Sequence, residues 1–142
     1  MVLAVADASV VAKWFLEEAF SEEARILRDD FMEGRVHLRV PSLLPFEVMN
    51  ALRFNANFPV RNLLDAARAL DRAGLVTVPL VGDYLERTVL AAGRHDLTIY
   101  DASYLALAEV LACPLFSADD ELVRLRVREP RIVHVRDYPS ER

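Results

Sequence analysis

The chain has one cysteine, Cys113, in 142 residues. That excludes an internal disulfide and any zinc cluster built on thiolates, and it leaves Cys113 as a small apolar residue expected to be buried ahead of a strand. No uninterrupted apolar run reaches the ~18 residues of a membrane span, and residues 1–6 lack the basic start and long apolar middle of a signal peptide. A soluble, cytoplasmic protein with no membrane partner is expected. Lysine is nearly absent too: Lys13 stands beside sixteen arginines, and 22 acidic residues leave a net charge of −5. This balance excludes a surface that grips nucleic acid by phosphate neutralisation alone, although bound metal ions can supply positive charge. Internal repeats, low-complexity tracts and Gly/Ser linkers are also missing. One domain over residues 1–142 follows, because two cores in so short a chain would each be marginal.

What is present is a regular alternation of apolar patterns. Residues 2–6, VLAVA, are rich in β-branched side chains and fit a strand buried on both faces. VHLRV at 36–40, LVTVP at 75–79, PLFS at 114–117 and RIVHV at 131–135 resemble it. Helical patterns fill the gaps. After Ser21, Ala24, Leu27 and Phe31 recur at helical spacing and Gly34 marks an end. Residues 43–55 carry Leu44, Val48, Ala51 and Leu52 on one stripe, with Pro45 tolerated in the first turn. Residues 62–74 group Leu63, Leu64, Ala67 and Leu70, Asp83 is expected to cap a helix over 84–96, and residues 101–112 are apolar enough to lie deep against a sheet. The alternation predicts an α/β fold: a three-layer α/β/α sandwich around a central, mostly parallel five-stranded sheet with right-handed crossovers. Ligands of such sheets bind beyond the carboxyl ends of the strands, where strand order reverses.

Four carboxylates stand out by position. Asp7 ends the first strand, Asp119 follows PLFS, Asp101 opens the apolar helix, and Glu47 lies in an apolar helical run with no basic residue three or four positions away. Capping also accounts for three of them. Asp7 can cap a helix beginning near Ser9, while TIYD at 98–101 and SADD at 117–120 match the Ser/Thr-x-x-acid capping box. The predicted sheet nevertheless brings Asp7, Asp101 and Asp119 to one edge, with Glu47 able to lean over it. Carboxylates gathered in this way raise one another's pKa unless a cation shares the cleft. Mg²⁺ and Mn²⁺ suit such a site, since they prefer oxygen ligands and keep several waters. His37, His95 and His134 have no metal-ligand spacing and are expected on the surface or packed against strands.

The blocks DASVVAKWFLEE, PSLLPFEVMNAL and DLTIYDASYLALAEVLACPLFSADDEL, with the terminal strand, resemble the PIN-domain proteins, specifically the VapC-type toxins of toxin–antitoxin pairs. The likeness covers nearly the whole chain, with the blocks in the family's order and spacing. It implies a Mg²⁺- or Mn²⁺-dependent endoribonuclease that hydrolyses phosphodiester bonds with metal-activated water. By the same likeness Asp7, Glu47, Asp101 and Asp119 are the catalytic and metal-binding acids. Ser117, where many relatives have threonine, and Asn50, which could steady Glu47, are supporting residues, and Asp120 is a first-turn acid. The resemblance also implies an RNA substrate, a homodimer and a VapB-type antitoxin whose C-terminal segment covers an apolar groove. Phe46, Met49, Phe54 and Phe58 are candidates for that groove or for the core, and Arg53, Arg61 or Lys13 for holding RNA; Trp14 is expected to pack and Lys13 to snorkel. An RNA-processing PIN nuclease outside a toxin system and a non-catalytic RNA-binding or interaction PIN domain stay open. A receiver-like domain needs an acceptor aspartate after strand three and a lysine after strand five, where the chain has Pro79-Leu80-Val81 and only Lys13. A haloacid-dehalogenase-type phosphatase needs Asp-x-Asp where Asp7-Ala8-Ser9 stands.

Overall fold

A computed structural model describes residues 2–138; Met1 and residues 139–142 of the expected domain lie outside the described residues. The elements run β1 (Val2–Ala6), α1 (Ala8–Ala12), α2 (Ser21–Met32), β2 (Val36–Pro41), α3 (Leu44–Arg53), α4 (Leu63–Arg72), β3 (Val76–Val78), α5 (Gly82–His95), α6 (Ile99–Leu111), β4 (Leu115–Ser117), α7 (Asp120–Val123) and β5 (Ile132–His134). Single 3-10 turns occupy Val60–Asn62, Arg124–Val127 and Val135–Asp137. The strands form one sheet in the order β3-β2-β1-β4-β5, and every pairing is parallel. Helices cover the sheet in a three-layer α/β/α sandwich.

Strand order reverses between β1 and β4, so the end of β1 opens into the crevice where parallel sheets bind ligands. Ala4, Val5 and Ala6 are fully buried there, as are Leu115 and Phe116 on β4. Ala6 pairs with Phe116, which places the next residues, Asp7 and Ser117, side by side at the carboxyl edge. Helix α6 buries every residue from Ala102 to Ala108. It packs on β1, β2 and β4 and carries α5 on its other side, the deep placement its composition predicts. Gly34 follows α2 with φ +79°, a left-handed conformation open to glycine.

Helix starts differ from the sequence reading in two places. Helix α5 begins at Gly82, so Asp83 lies inside the first turn and pairs with Arg87 at 3.1 Å instead of capping. Helix α6 begins at Ile99 because the Thr98 hydroxyl accepts the Asp101 amide hydrogen at 3.0 Å. Cys113 and Trp14 are buried as expected. Lys13 is buried as well: its ammonium is held at 3.0 Å by Glu18 and does not snorkel to open water. An acid five residues along satisfies the charge locally.

Candidate active site

Asp7 sits in extended backbone directly after β1 and caps α1, its Oδ1 accepting from the Val10 amide at 3.2 Å. The same oxygen accepts from the Ser9 hydroxyl at 2.5 Å, and Oδ2 accepts from the Ser117 hydroxyl at 2.5 Å. Capping and site placement are therefore both true of this residue. The two hydroxyls also tie down the next loop: Ser117 Oγ accepts from the Asp119 amide at 3.0 Å, and Ser9 Oγ from the Ala118 amide at 2.9 Å. Burial pushes the Asp7 carboxyl from 3.8 up to about 7, against the lowering effect of these hydrogen bonds and with a further push from Asp119.

Asp119 itself caps α7, with Oδ1 accepting from the Glu121 amide at 2.8 Å. Asp120 falls in the first turn of that helix, where the macrodipole favours an acid. Asp101 lies in the first turn of α6, half-buried, and its carboxyl is raised to about 6 by burial and then by the charges of Asp119, Glu47 and Glu121. Glu47, in the first turn of α3, accepts at Oε1 from the Tyr104 hydroxyl at 2.6 Å. Tyr104 is almost fully buried, and burial followed by the Glu47 carboxylate holds its hydroxyl well above the ordinary tyrosine range. It stays a donor at any physiological pH. Four acids from four separate elements thus stand within electrostatic reach at one edge of the sheet.

Among the described residues no three His, Cys, Asp or Glu side chains converge closely enough to hold an ion unaided. The donors are nonetheless all hard carboxylate oxygens, and Asp7 and Asp101 both feel like charge next to them. That suits Mg²⁺ or Mn²⁺ held by one or two carboxylates with water completing the shell, and does not suit a closed protein cage. The histidines lie elsewhere: His95 Nε2 meets Glu129 at 2.8 Å, and His134 Nδ1 accepts from the Arg136 amide at 3.0 Å. His134 is the strand partner of Ser117, and burial followed by the charge of Arg136, with Arg126 and Lys13 adding, keeps its pKa low. Cations therefore gather one strand away from the acids.

Tyr104 and Ser9, which the sequence reading did not single out, donate to two of the candidate acids, Glu47 and Asp7. Tyr104 lies one helical turn after Asp101, a spacing visible in the chain; its reach to Glu47 is not. Asn50 is exposed and lines a groove of about 820 Å³ beside Glu47. Of the four apolar groove candidates, Phe46 and Met49 line it, Phe58 packs against the core, and Phe54 is exposed with the Arg53 guanidinium 5.1 Å above its ring.

A wholly parallel α/β sheet with four acids at its switch-point edge places the chain in the doubly wound class. Within that class the chain belongs to the PIN domain family, whose sequence profile matches residues 4–127. A VapC ribonuclease of Mycobacterium bovis is 40% identical over 85 residues, which are 58% of this chain and 65% of that protein. The chain thus spans just under two thirds of that relative's length. Ribonuclease VapC3 of Pyrobaculum aerophilum is 29% identical over 122 residues, 83% of this chain and 90% of the relative. Among solved structures, a protein of Pyrobaculum aerophilum superposes with TM-score 0.69 at 23% identity, covering 99% of this chain and 94% of its own. A toxin–antitoxin complex from Klebsiella pneumoniae gives 0.66 at 17% identity, covering 93% and 97%. At these identities the structural likeness is one of fold. No helix among the described residues is long and apolar enough to cross a membrane.

Proposed function

We propose that this chain is a Mg²⁺- or Mn²⁺-dependent endoribonuclease of the VapC kind, acting as the toxin of a pair with a VapB-type antitoxin. The observation that carries this reading is the gathering of Asp7, Glu47, Asp101 and Asp119, from four elements, at the carboxyl edge of the sheet, with Asp7 and Asp101 pushed up by burial and neighbouring charge. The VapC names of the sequence relatives support the RNA substrate, and the toxin–antitoxin complex among the structural relatives supports the partner.

Asp7, fixed by Ser9, Ser117 and the Val10 amide, would hold the ion directly, with Asp101 and Asp119 as direct or water-mediated ligands. When bound, the ion neutralises the cluster, takes charge from the phosphate and lowers the pKa of a water. Glu47, anchored through one oxygen by Tyr104, leaves its other oxygen to orient the attacking water and accept its proton. Water adds to phosphorus, the bond to the 3′-oxygen breaks, and the products carry a 5′-phosphate and a 3′-hydroxyl. Ser117 keeps Asp7 aimed and positions the Asp119 amide.

One nuclease-free preparation tests this. Purified protein is expected to cut single-stranded RNA with Mg²⁺ or Mn²⁺, to stop in EDTA, and to lose at least ~100-fold in rate as Asp7→Asn or Asp101→Asn, the scale of losing electrostatic stabilisation of a transition state. Cleavage that survives EDTA, or that runs in both variants at the rate of the unmodified chain, removes the reading. No cleavage with intact RNA binding leaves a non-catalytic PIN domain.

A further inference from the structure

His134 ends β5 beside the acids. It is the strand partner of Ser117, whose hydroxyl holds Asp7. Asp7, Ser117 and His134 therefore lie in one row across the carboxyl edge, and at about 4.8 Å per strand the last stands about 10 Å from the first. The imidazole is buried, and its two nitrogens differ. Nδ1 accepts the Arg136 amide hydrogen at 3.0 Å, which leaves the proton of the neutral ring on Nε2. That N–H has no hydrogen-bond partner among the described residues, and it is not sealed from solvent. Burial and then the charge of Arg136 lower the pKa of the ring; Asp137 opposes this, and Arg126 and Lys13 add to it. The loop that covers the ring is strained. Phe20 packs edge-on against His134 with centroids 4.7 Å apart, and it does so from a left-handed backbone, φ +67°, a conformation that bulky residues rarely adopt and that recurs at functional sites. The loop is pinned at the Leu16 carbonyl, which accepts from the Ser21 hydroxyl at 2.6 Å and the Arg25 guanidinium at 2.9 Å. Arg126 and Arg136 are exposed and have no acid within ion-pair distance among the described residues.

An unpartnered donor with three cations in electrostatic reach is a place for an anion. In a chain of net charge −5 with four carboxylates at the same sheet edge, this is where the sign of the charge changes. An RNA strand whose scissile phosphate lies over the acids carries its next phosphate one nucleotide away, and on the β5 side that phosphate meets donors instead of carboxylates. An acidic peptide would meet the same donors, yet it would set further carboxylates beside Asp7 and Asp119 with no phosphate to share the ion. Resting on the nuclease reading, we propose that the carboxyl end of β5 is a phosphate subsite, in which His134 Nε2–H, backed by the charges of Lys13, Arg126 and Arg136, takes the RNA backbone phosphate next to the scissile one. His134 is thus a positioning residue. It sets affinity and register, and bond cleavage stays with the acids.

The test measures fluorescence anisotropy of a labelled RNA of about 12 nucleotides over a series of KCl concentrations. It uses the full chain carrying Asp7→Asn, with Mg²⁺ present, so that binding is read without cleavage. Arg126→Gln with Arg136→Gln, both at exposed positions, is expected to weaken binding about 5-fold or more and to flatten the log–log salt slope by about 0.7, the share of one phosphate. Arg72→Gln removes the same kind of charge from α4, which leads into β3 at the opposite edge of the sheet, and is expected to change neither value. His134→Asn keeps an acceptor for the Arg136 amide and loses the donor at Nε2; it is expected to weaken binding about 10-fold or more, and His134→Gln, which returns an N–H there, to bind more tightly than His134→Asn. Affinity and slope that are unmoved by the two arginine changes, or moved no more than by Arg72→Gln, overturn the subsite. Undiminished affinity in His134→Asn does the same. So does displacement of the RNA by inorganic phosphate at equal phosphate concentration, which would make this a free-anion pocket, or lost binding of a labelled glutamate-rich peptide with RNA affinity intact, which would assign the cations to a protein. Cleavage by the chain without Asp7→Asn is followed in parallel. If it cuts RNA while binding ignores these variants, the subsite fails and the nuclease stands; if it neither cuts nor binds RNA, both fail. Binding that depends on Arg126, Arg136 and His134 without cleavage supports the subsite and removes the nuclease.

Discussion

Tyr104 shows how a single hydroxyl can define a site. Its ring is packed in the core and its oxygen donates to Glu47 at 2.6 Å, so Tyr104→Phe keeps the packing and removes only the anchor. A hydrogen bond to a charged group contributes about 1.5–3 kcal/mol when its partner has no substitute. Glu47 is half-buried and can recruit water, so a stability loss of about 1 kcal/mol is expected, with a fall in RNA cleavage rate of about tenfold or more because the carboxylate is no longer aimed. An unchanged rate at saturating Mg²⁺ would show that Glu47 needs no anchor. Asp7 is as instructive. Its position after a strand allowed a cap or a ligand, and it is in fact capped into α1 while both its oxygens are held by hydroxyls from Ser9 and Ser117. The place of Asp7 at the end of a strand was legible; the contact from Ser117 depends on strand pairing.

Glu47 and Asp101 lie in the first turns of α3 and α6, and Asp119 caps α7. The macrodipole makes that the least costly end of a helix for negative charge. Helix α5 has a different task. Tyr84, Thr88, Ala91 and His95 are its buried residues, while Val81, Leu85 and Val89, spaced by four, are exposed at 63%, 40% and 53%. Such a stripe is a candidate seam for the homodimer expected of a VapC-type protein. Leu85→Glu with Val89→Glu is expected to give a monomer where the unmodified chain scatters light as a dimer, and a monomer from the unmodified chain would dispose of the seam. The start of α5 was misplaced from sequence because an acid near a helix start, here Asp83, reads equally as a cap or as a first-turn residue, whereas the Thr98 capping box of α6 is borne out. Only the partner of the backbone amide separates the two.

Stability of the whole molecule should carry the signature of its acidic cleft. The Asp7 carboxyl titrates at about 7 in the folded chain against an ordinary 3.8, so the folded chain binds the extra proton between about pH 4 and 7. Stability therefore falls as pH rises through that window in metal-free buffer and levels off above it. Asp101, raised to about 6, acts in the same direction. For Asp7, the rise from 3.8 to about 7 corresponds to a loss of at most ~4 kcal/mol. Urea unfolding in EDTA is expected to give a lower stability at pH 8 than at pH 5. Mg²⁺ should restore more at pH 8, and Asp7→Asn should flatten the dependence. Equal slopes for Asp7→Asn and the unmodified chain would mean that Asp7 is not the group responsible.

The order of strands and helices and the deep placement of α6 were readable from the chain, because periodicity acts over a few neighbouring residues; the four candidate acids stood out by position and took their proposed roles from the family resemblance. What the folded structure alone decided acts over long separations: Tyr104 reaches Glu47 across 57 positions and Ser117 reaches Asp7 across 110. Those contacts depend on strand register and on how α3 and α6 dock, which no local pattern encodes. The exposure of Phe46 and Tyr100 is of the same kind. Phe46 reads as groove or core until the neighbouring elements are in place and leave it exposed.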